Sequence, residues 1–419
     1  MMKQAHGEET VNTFGLDIEK IRADFPMLKQ MFNGKQLIYL DSAASSHKPQ
    51  VVIDRLVQFY SQEYGKPQEV HTASKTTTEL MEDVRAAVAK MMNASDAKEI
   101  IFTKGCTEGI NIVANGFARA ILKPGDEIVI SQFEHHANIV PWILACNSTG
   151  AVLKVAPISK TDELDLDALE NLITDKTRII SVSHTSHVLG SVLPISKIAA
   201  MAHKRGIAVL ADGVQAAPHM TVDFQELDCD FYTFAVHKMG GPTGVGVLYG
   251  KEKWLNKIAP LNGGGEMAKE VTFERCSYAD IPTKFEGGTT NFADIIAFGA
   301  LIDYLEQVGQ DKIENYEKAL LRYATEKIAA IPGVKVYGKA PEKEPVLSFE
   351  ILGQDVKKLE KYLNDEWSIA VKAGELSAQP LMKILDVKGL IRASFTFYNT
   401  KDEVDTFIEA VKTFIHKYS

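Results

Sequence analysis

Three short stretches of this sequence combine residue types that chemistry uses with the glycines and apolar runs that would position them. The first is Phe102-Thr103-Lys104-Gly105-Cys106-Thr107-Glu108, which reads as a strand entering a glycine turn and then a helix with apolar positions Ile110, Val113, Phe117 and Ile121. Free N–H groups and the positive dipole of a helix start attract an anion, and Thr107 adds a hydroxyl. The same pattern also serves as a plain N-cap before a core helix. The second is Val209-Leu210-Ala211-Asp212-Gly213-Val214-Gln215, where Asp212 ends an apolar strand. Ligands of α/β sheets bind at such strand ends, and a buried carboxylate needs a partner such as a protonated ring nitrogen; a helix N-cap is the competing reading. The third is Phe234-Ala235-Val236-His237-Lys238-Met239-Gly240-Gly241-Pro242-Thr243-Gly244. A lysine among apolar residues loses solvation, which favours the neutral amine that a Schiff-base lysine requires, although a lysine in a surface turn would look alike.

The order of the three adds weight that none has alone. An anion cradle, a ring-nitrogen partner and an imine-forming amine are together what pyridoxal phosphate requires. Phe133-Glu134-His135-His136-Ala137-Asn138 follows a strand at Glu127–Ser131, and an imidazole there could stack on a flat ring and move protons. Metal binding by these histidines with His184 and His187 is the rival, but adjacent histidines chelate poorly and no HExxH set is present, so no metal is expected. The four cysteines, Cys106, Cys146, Cys229 and Cys276, form no C-x-x-C pair and read as separate reduced thiols.

The elements that must hold these residues are legible from apolar patterning. Strands are expected at Glu127–Ser131, 153–157, 178–184, 207–212, Phe231–Ala235 and 244–249, alternating with helices such as 195–204, as in an α/β domain with a largely parallel sheet. Past Asn291 the alternation ends. Helices are expected at 293–308 (closed by Gly309), 312–330, 355–365 and 401–416 (capped by Thr400), with strands at 345–351 and 392–398, giving a smaller α+β domain. The division expected is an N-terminal segment, 1–36, packing with the small domain, a large domain, 37–300, and the small domain, 301–419.

The 419 residues are 45% apolar and 24% charged, and 46 Lys plus Arg against 55 Asp plus Glu leave a net charge of −9. Such a chain can bury a sizeable core. It has no basic block for nucleic acid and no apolar run of the roughly 18 residues a membrane span needs. Its first 13 residues are polar with two glutamates, unlike a targeting segment, so a cytoplasmic location is expected.

These residues in this order resemble the class V aminotransferase group of pyridoxal-phosphate enzymes, and within it the group II, Suf-type cysteine desulfurases, with selenocysteine lyases nearby. The resemblance runs from about Ile21 to the end. It includes Tyr39-Leu40-Asp41-Ser42-Ala43-Ala44-Ser45, Glu134-His135-His136-Ala137-Asn138-Ile139-Val140-Pro141-Trp142 and Asp212-Gly213-Val214-Gln215-Ala216-Ala217-Pro218-His219. Gly263-Gly264-Gly265-Glu266-Met267, Lys284-Phe285-Glu286-Gly287-Gly288-Thr289 and Arg392-Ala393-Ser394-Phe395 continue it. It implies the fold-type I architecture, a homodimer and a small amino-acid substrate. By the same resemblance Lys238 would be the Schiff-base lysine, and His135 would stack on the ring and take part in proton transfer. Asp212 would pair with the ring nitrogen and Gln215 would touch the ring hydroxyl. Thr107, the backbone at Cys106 and His237 would hold the phosphate, with Thr289 reaching it from the other subunit. Arg392 would grip the substrate carboxylate through its fork.

The departures bear on function. Where the desulfurase pattern reads Arg-x-Gly-His-His-Cys-Ala-Gln-Pro, this chain reads Lys372-Ala373-Gly374-Glu375-Leu376-Ser377-Ala378-Gln379-Pro380. Serine stands at the nucleophile's place, and a hydroxyl is neither ionised at neutral pH nor strongly nucleophilic toward sulfur. The family's His-Arg-Gly has become Pro67-Gln68-Glu69, His187 replaces an asparagine and Ala235 a serine. Several substrate-facing positions, His187, Lys372, Glu375 and Ser377 among them, differ together. The expectation is therefore a desulfurase-like enzyme with altered chemistry or substrate. Glu375 beside the site, with Lys372 and Gln68 for arginines, argues for a substrate with one negative charge. The alternatives are a true desulfurase or selenocysteine lyase (a Cys-to-Ser variant, or one assisted by external thiol) and a non-catalytic paralogue that binds a sulfur-acceptor protein.

Overall fold

The computed structural model describes residues 11–418. Its centre is a seven-stranded sheet built from β1 (Ile100–Thr103), β2 (Glu127–Ser131), β3 (Val152–Ala156), β4 (Thr177–Ser183), β5 (Ala208–Asp212), β6 (Phe231–Ala235) and β7 (Gly246–Gly250). The spatial order is β1-β7-β6-β5-β4-β2-β3. Only β7 runs antiparallel to its neighbours. Every strand but β3 is buried or nearly so along its length, as expected where helices cover both faces and the strands are continuous apolar runs. Edge strand β3 is the exception, with two of its five residues exposed. Helix α1 (Cys106–Ala120) follows β1 through Gly105, and α2 (Ile195–His203) crosses from β4 to β5.

The long helix α3 (Phe292–Val308) leads into the second unit and ends at Gly309, whose φ of 94° is a conformation glycine adopts cheaply. Beyond it come α4 (Gln310–Ala329), α5 (Val356–Trp367), α6 (Lys401–Tyr418) and an antiparallel sheet of β8 (Val334–Tyr337), β9 (Val346–Ile351), β10 (Lys372–Gly374) and β11 (Leu390–Ser394), in order β8-β9-β11-β10. The sequence reading is corrected at three places here. The strand expected at 392–398 begins at Leu390 and ends at Ser394, because Phe395 donates to the Pro345 carbonyl and Phe397 to Glu317 instead of extending the ladder. Strands β8 and β10 were not expected. Thr400 caps α6 as read, accepting from the Glu403 N–H at 3.1 Å. The described part of the N-terminal segment lies against this unit: Arg22 pairs with Glu403 at 2.9 Å, Phe25 packs on Phe397 and Tyr398, and residues 38–39 pair in parallel with 369–370.

Candidate active site

A cavity of about 820 Å³ opens at the carboxyl ends of β5 and β6, where the start of α1 and the ends of β10 and β11 meet them. Ten of the thirteen residues singled out in the sequence line it: Cys106, Thr107, His135, His187, Asp212, His237, Lys238, Lys372, Ser377 and Arg392. Gln215 stands just behind, accepting from the Lys238 ammonium at 3.4 Å.

Each wall follows from local sequence. The turn into α1 sits so close to β7 that a Cβ on Gly246 would lie 2.5 Å from the Gly105 Cα, so glycine is required there. The leading N–H groups of α1, which no helix can satisfy internally, surround Thr107 at the cavity. Asp212 is buried at the end of β5, where its Oδ1 accepts from the Val214 N–H at 3.1 Å and from the Cys106 thiol at 3.2 Å. Burial holds this carboxyl above its ordinary range, and the two donors and Lys238 act against that. Gly213 must be glycine too, since a Cβ would lie 2.0 Å from the Tyr232 ring.

Lys238 ends a single 3₁₀ turn (Val236–Lys238) after β6. Burial, with Arg392 adding to it, pushes its amine down to about 8. His237 beside it bonds Ser45 Oγ through Nδ1 at 3.1 Å, and burial pushes its imidazole down to about 4. His135 accepts from the Ala137 N–H at Nδ1, 3.0 Å, so its Nε2 is the nitrogen left for chemistry. Burial, then Lys238 and its other cationic neighbours, push that ring down to about 4, so it is neutral at physiological pH. Beneath it Glu134 accepts from Asn138 and from the Ser183 hydroxyl, both at 2.7 Å, which fixes the backbone that carries His135.

The opposite wall is cationic. Arg392, 4% exposed, donates to Asp41 at 3.0 Å and to the His187 carbonyl at 3.2 Å. Lys372 sits directly across from it on β10. Like charges placed opposite each other in a ladder repel, and Asp41 partly offsets that while the remaining excess charge favours an anion in the cavity. Leu376 and Ser377 both take left-handed φ values, 53° and 54°. Three bonds fasten this turn: His187 Nε2 donates to the Leu376 carbonyl at 2.8 Å, the His136 N–H to the Ser377 carbonyl at 2.9 Å, and the Gln379 N–H to His136 Nε2 at 3.2 Å. Ser377 is thereby held at the cavity wall.

Two residues are not brought to this wall. Glu375 is exposed and accepts from Gln379 Nε2 at 2.7 Å, because the left-handed turn after it sends its side chain outward. The argument from its charge for a singly anionic substrate therefore falls. Thr289 lies in a separate surface recess with Lys66, Gln68 and Glu266. Sequence reasoning missed the roles of Asp41 and Glu134 in holding Arg392 and His135. Both lay inside quoted motifs, and a carboxylate flanked by apolar residues was the available signal.

The aminotransferase class-V family model matches residues 38–407, and the chain belongs to that family of fold-type I pyridoxal-phosphate enzymes. It is 46% identical over 397 residues to a probable cysteine desulfurase of Mycolicibacterium paratuberculosis, covering 94% of this chain but 58% of that longer protein. A cysteine desulfurase of Serratia proteamaculans is 44% identical, with 94% of this chain and 97% of the relative covered. Among solved structures, the Escherichia coli cysteine desulfurase CsdA superposes with a TM-score of 0.89 at 37% identity, covering 96% of this chain and 99% of that one.

The residues present fit the family's cofactor. Gln215 Nε2 and Arg392 Nε are buried without a hydrogen-bond partner, and such donors are costly unless a ligand satisfies them. Asp212 offers a carboxylate, Lys238 a partly deprotonated amine, and the start of α1 an anion cradle, all in one cavity.

Proposed function

We propose that this protein is a pyridoxal-phosphate enzyme of the cysteine-desulfurase type, acting on a small amino acid, which hands the departing sulfur to a diffusible thiol and not to a residue of its own. The observation that carries this reading is Ser377, fixed at the cavity wall where a cysteine would have to stand. Among the described residues the one cysteine lining the cavity is Cys106, and its buried thiol is pushed well up by burial and by Asp212, the opposite of what a sulfur nucleophile needs.

In this reading the start of α1, Thr107 and His237 hold the phosphate, joined by Thr289 of the partner subunit in a homodimer. Asp212 faces the ring nitrogen, Gln215 the ring hydroxyl and His135 the ring face. When bound, the cofactor supplies a carbonyl carbon for the Lys238 amine and a ring that withdraws electrons from the substrate's α-carbon. Arg392 binds the substrate carboxylate with the part of its fork that Asp41 leaves free. Lys238, neutral above about pH 8, takes the proton from the α-carbon and returns one to the product. His135, neutral and anchored through Nδ1, can pass a proton at Nε2. The sulfur balance is cysteine plus RSH giving alanine plus RSSH: the Cβ–S bond breaks, an S–S bond to the external thiol forms, and the thiol proton is retained in the products. Ser377 cannot take the place of RSH, because its oxygen forms no persulfide.

The test is product analysis of the loaded enzyme with L-cysteine, with and without excess thiol. Alanine equal to sulfide, with a rate that rises with thiol concentration, supports the reading. Ser377→Cys should add a protein-bound persulfide detectable by mass. A spectral response to cysteine with no alanine would instead support a different amino-acid substrate, and a chain that takes up no cofactor would support the non-catalytic, partner-binding alternative.

A further inference from the structure

Cys106 is the first residue of α1, and its thiol points not at the open cavity but at the carboxylate of Asp212. The Sγ lies 3.2 Å from Asp212 Oδ1, the same oxygen that accepts from the Val214 N–H at 3.1 Å. The other acceptor near the thiol, the Thr233 carbonyl, is farther, at 3.9 Å. One carboxylate oxygen thus takes two donors from the protein, which fixes the rotamer of Asp212 and leaves its second oxygen for whatever occupies the cavity. That the cavity expects an occupant is seen independently in Gln215, 1% exposed, whose Nε2 has no partner.

We infer that Cys106 is a positioning residue for Asp212: its S–H donates to Oδ1, weakens the carboxylate as a base and aims the remaining oxygen at the ring nitrogen of the cofactor. This inference rests on the functional reading for the identity of that ring, while the Cys106–Asp212 contact is independent of it. A carboxylate that accepts a hydrogen bond in its charged form gives up its proton more readily. Removing the donor should therefore raise the proton affinity of Asp212 and draw the ring proton more firmly to the cofactor. Burial and the neighbouring Asp212 keep the thiol protonated, so it remains a donor across the working pH range. The other titratable groups facing Asp212 are Lys238 and the Tyr232 hydroxyl, and neither is altered in the variants below.

The test uses Cys106→Ala, Cys106→Val and Cys106→Ser in the full chain. Valine restores bulk without a donor and serine restores a donor. The first readout is the Asp212 carboxyl titration in cofactor-free protein, followed by carbon-13 NMR of labelled aspartate and assigned with Asp212→Asn. The alanine and valine variants should titrate higher than the parent by about half a pH unit or more, and serine should titrate with the parent or below it. The second readout is the pH midpoint of the visible absorbance of the loaded protein, which should move in the alanine and valine variants and return in the serine variant. An unmoved carboxyl titration in both alanine and valine variants, or a serine variant that behaves like alanine, overturns the inference. If the parent takes up no pyridoxal phosphate the functional reading fails, yet the carboxyl titration still decides the Cys106–Asp212 contact.

Discussion

Glu317 ties the two halves of the active site together, and its removal should be costly. The side chain is fully buried on α4. Its Oε2 accepts from His219 Nδ1 at 2.8 Å, and its Oε1 accepts from the Thr396 hydroxyl at 2.8 Å and the Phe397 N–H at 2.9 Å. His219 lies one turn past Gln215, and Thr396 lies two residues past the end of β11, the strand that carries Arg392. Glu317→Ala strands three buried donors. Leaving a buried donor unpaired costs about 1–3 kcal/mol, and breaking a buried ion pair about 3–5 kcal/mol. These overlap, so we expect a loss of about 4 kcal/mol, roughly a thousandfold in the folding equilibrium. Equilibrium urea unfolding by circular dichroism measures it. The loss should also depend on pH. Burial alone would depress the His219 imidazole, but Glu317, then Glu344, outweigh burial and leave it raised. A raised histidine contributes its full stability below the ordinary value of about 6.5 and loses it as pH rises through the higher folded value. The deficit of Glu317→Ala should therefore be largest near pH 6 and shrink as pH rises. A deficit under about 1 kcal/mol, or one that grows with pH, would refute the reasoning.

Other expectations follow from the same geometry. Because burial pushes Lys238 down to about 8, pyridoxal phosphate should react with the cofactor-free protein at a rate that rises through about pH 8, and a flat profile in stopped-flow absorbance would contradict this. The same depressed lysine makes the folded state bind fewer protons than the unfolded chain between about 8 and the ordinary lysine value. Its contribution to stability therefore rises with pH across that window and is lost as pH falls through about 8. Gly213→Ala should cost about 3 kcal/mol, the upper range for overpacking, because the new methyl meets the Tyr232 ring; a thermal melt with unchanged midpoint would count against it. Arg392→Lys should raise KM for the amino acid about tenfold or more with a smaller effect on kcat, since a point charge replaces a fork; equal KM values would show that the carboxylate binds elsewhere.

Much of the fold could be read from the chain because its central strands are buried on both faces. Glu127–Ser131 and Phe231–Ala235 are uninterrupted short apolar or β-prone runs bounded by turn residues, and both fell where expected. Val334–Tyr337 and Lys372–Gly374 carry no such signal. The first has one fully buried residue in four, the second is three residues long, and each is a strand only because a neighbour pairs with it. The site divides in the same way. Lys238, Asp212 and the start of α1 announce themselves through local chemistry, namely a strand end, a glycine turn and a desolvated amine. The direction of Glu375 does not, because two consecutive left-handed residues after it reverse the course of the chain. Nor does the bond from Cys106 to Asp212, which joins residues 106 positions apart that meet only through the sheet.

The reversed strand β7 has a consequence for how the molecule is made. In the large sheet β1, which delivers the phosphate end of the site, pairs with β7 alone. A ribosome releases β1 long before Gly246–Gly250 leaves the exit tunnel, so the β1–α1 unit must wait, its strand unpaired, while β2 to β6 emerge. Insertion of β7 then docks β1 and brings Gly246 against Gly105 in a single event. The anion cradle is thus among the last parts of the large unit to be completed, and nascent chains halted before residue 246 should expose β1 to protease while β2, β4 and β5 are already protected.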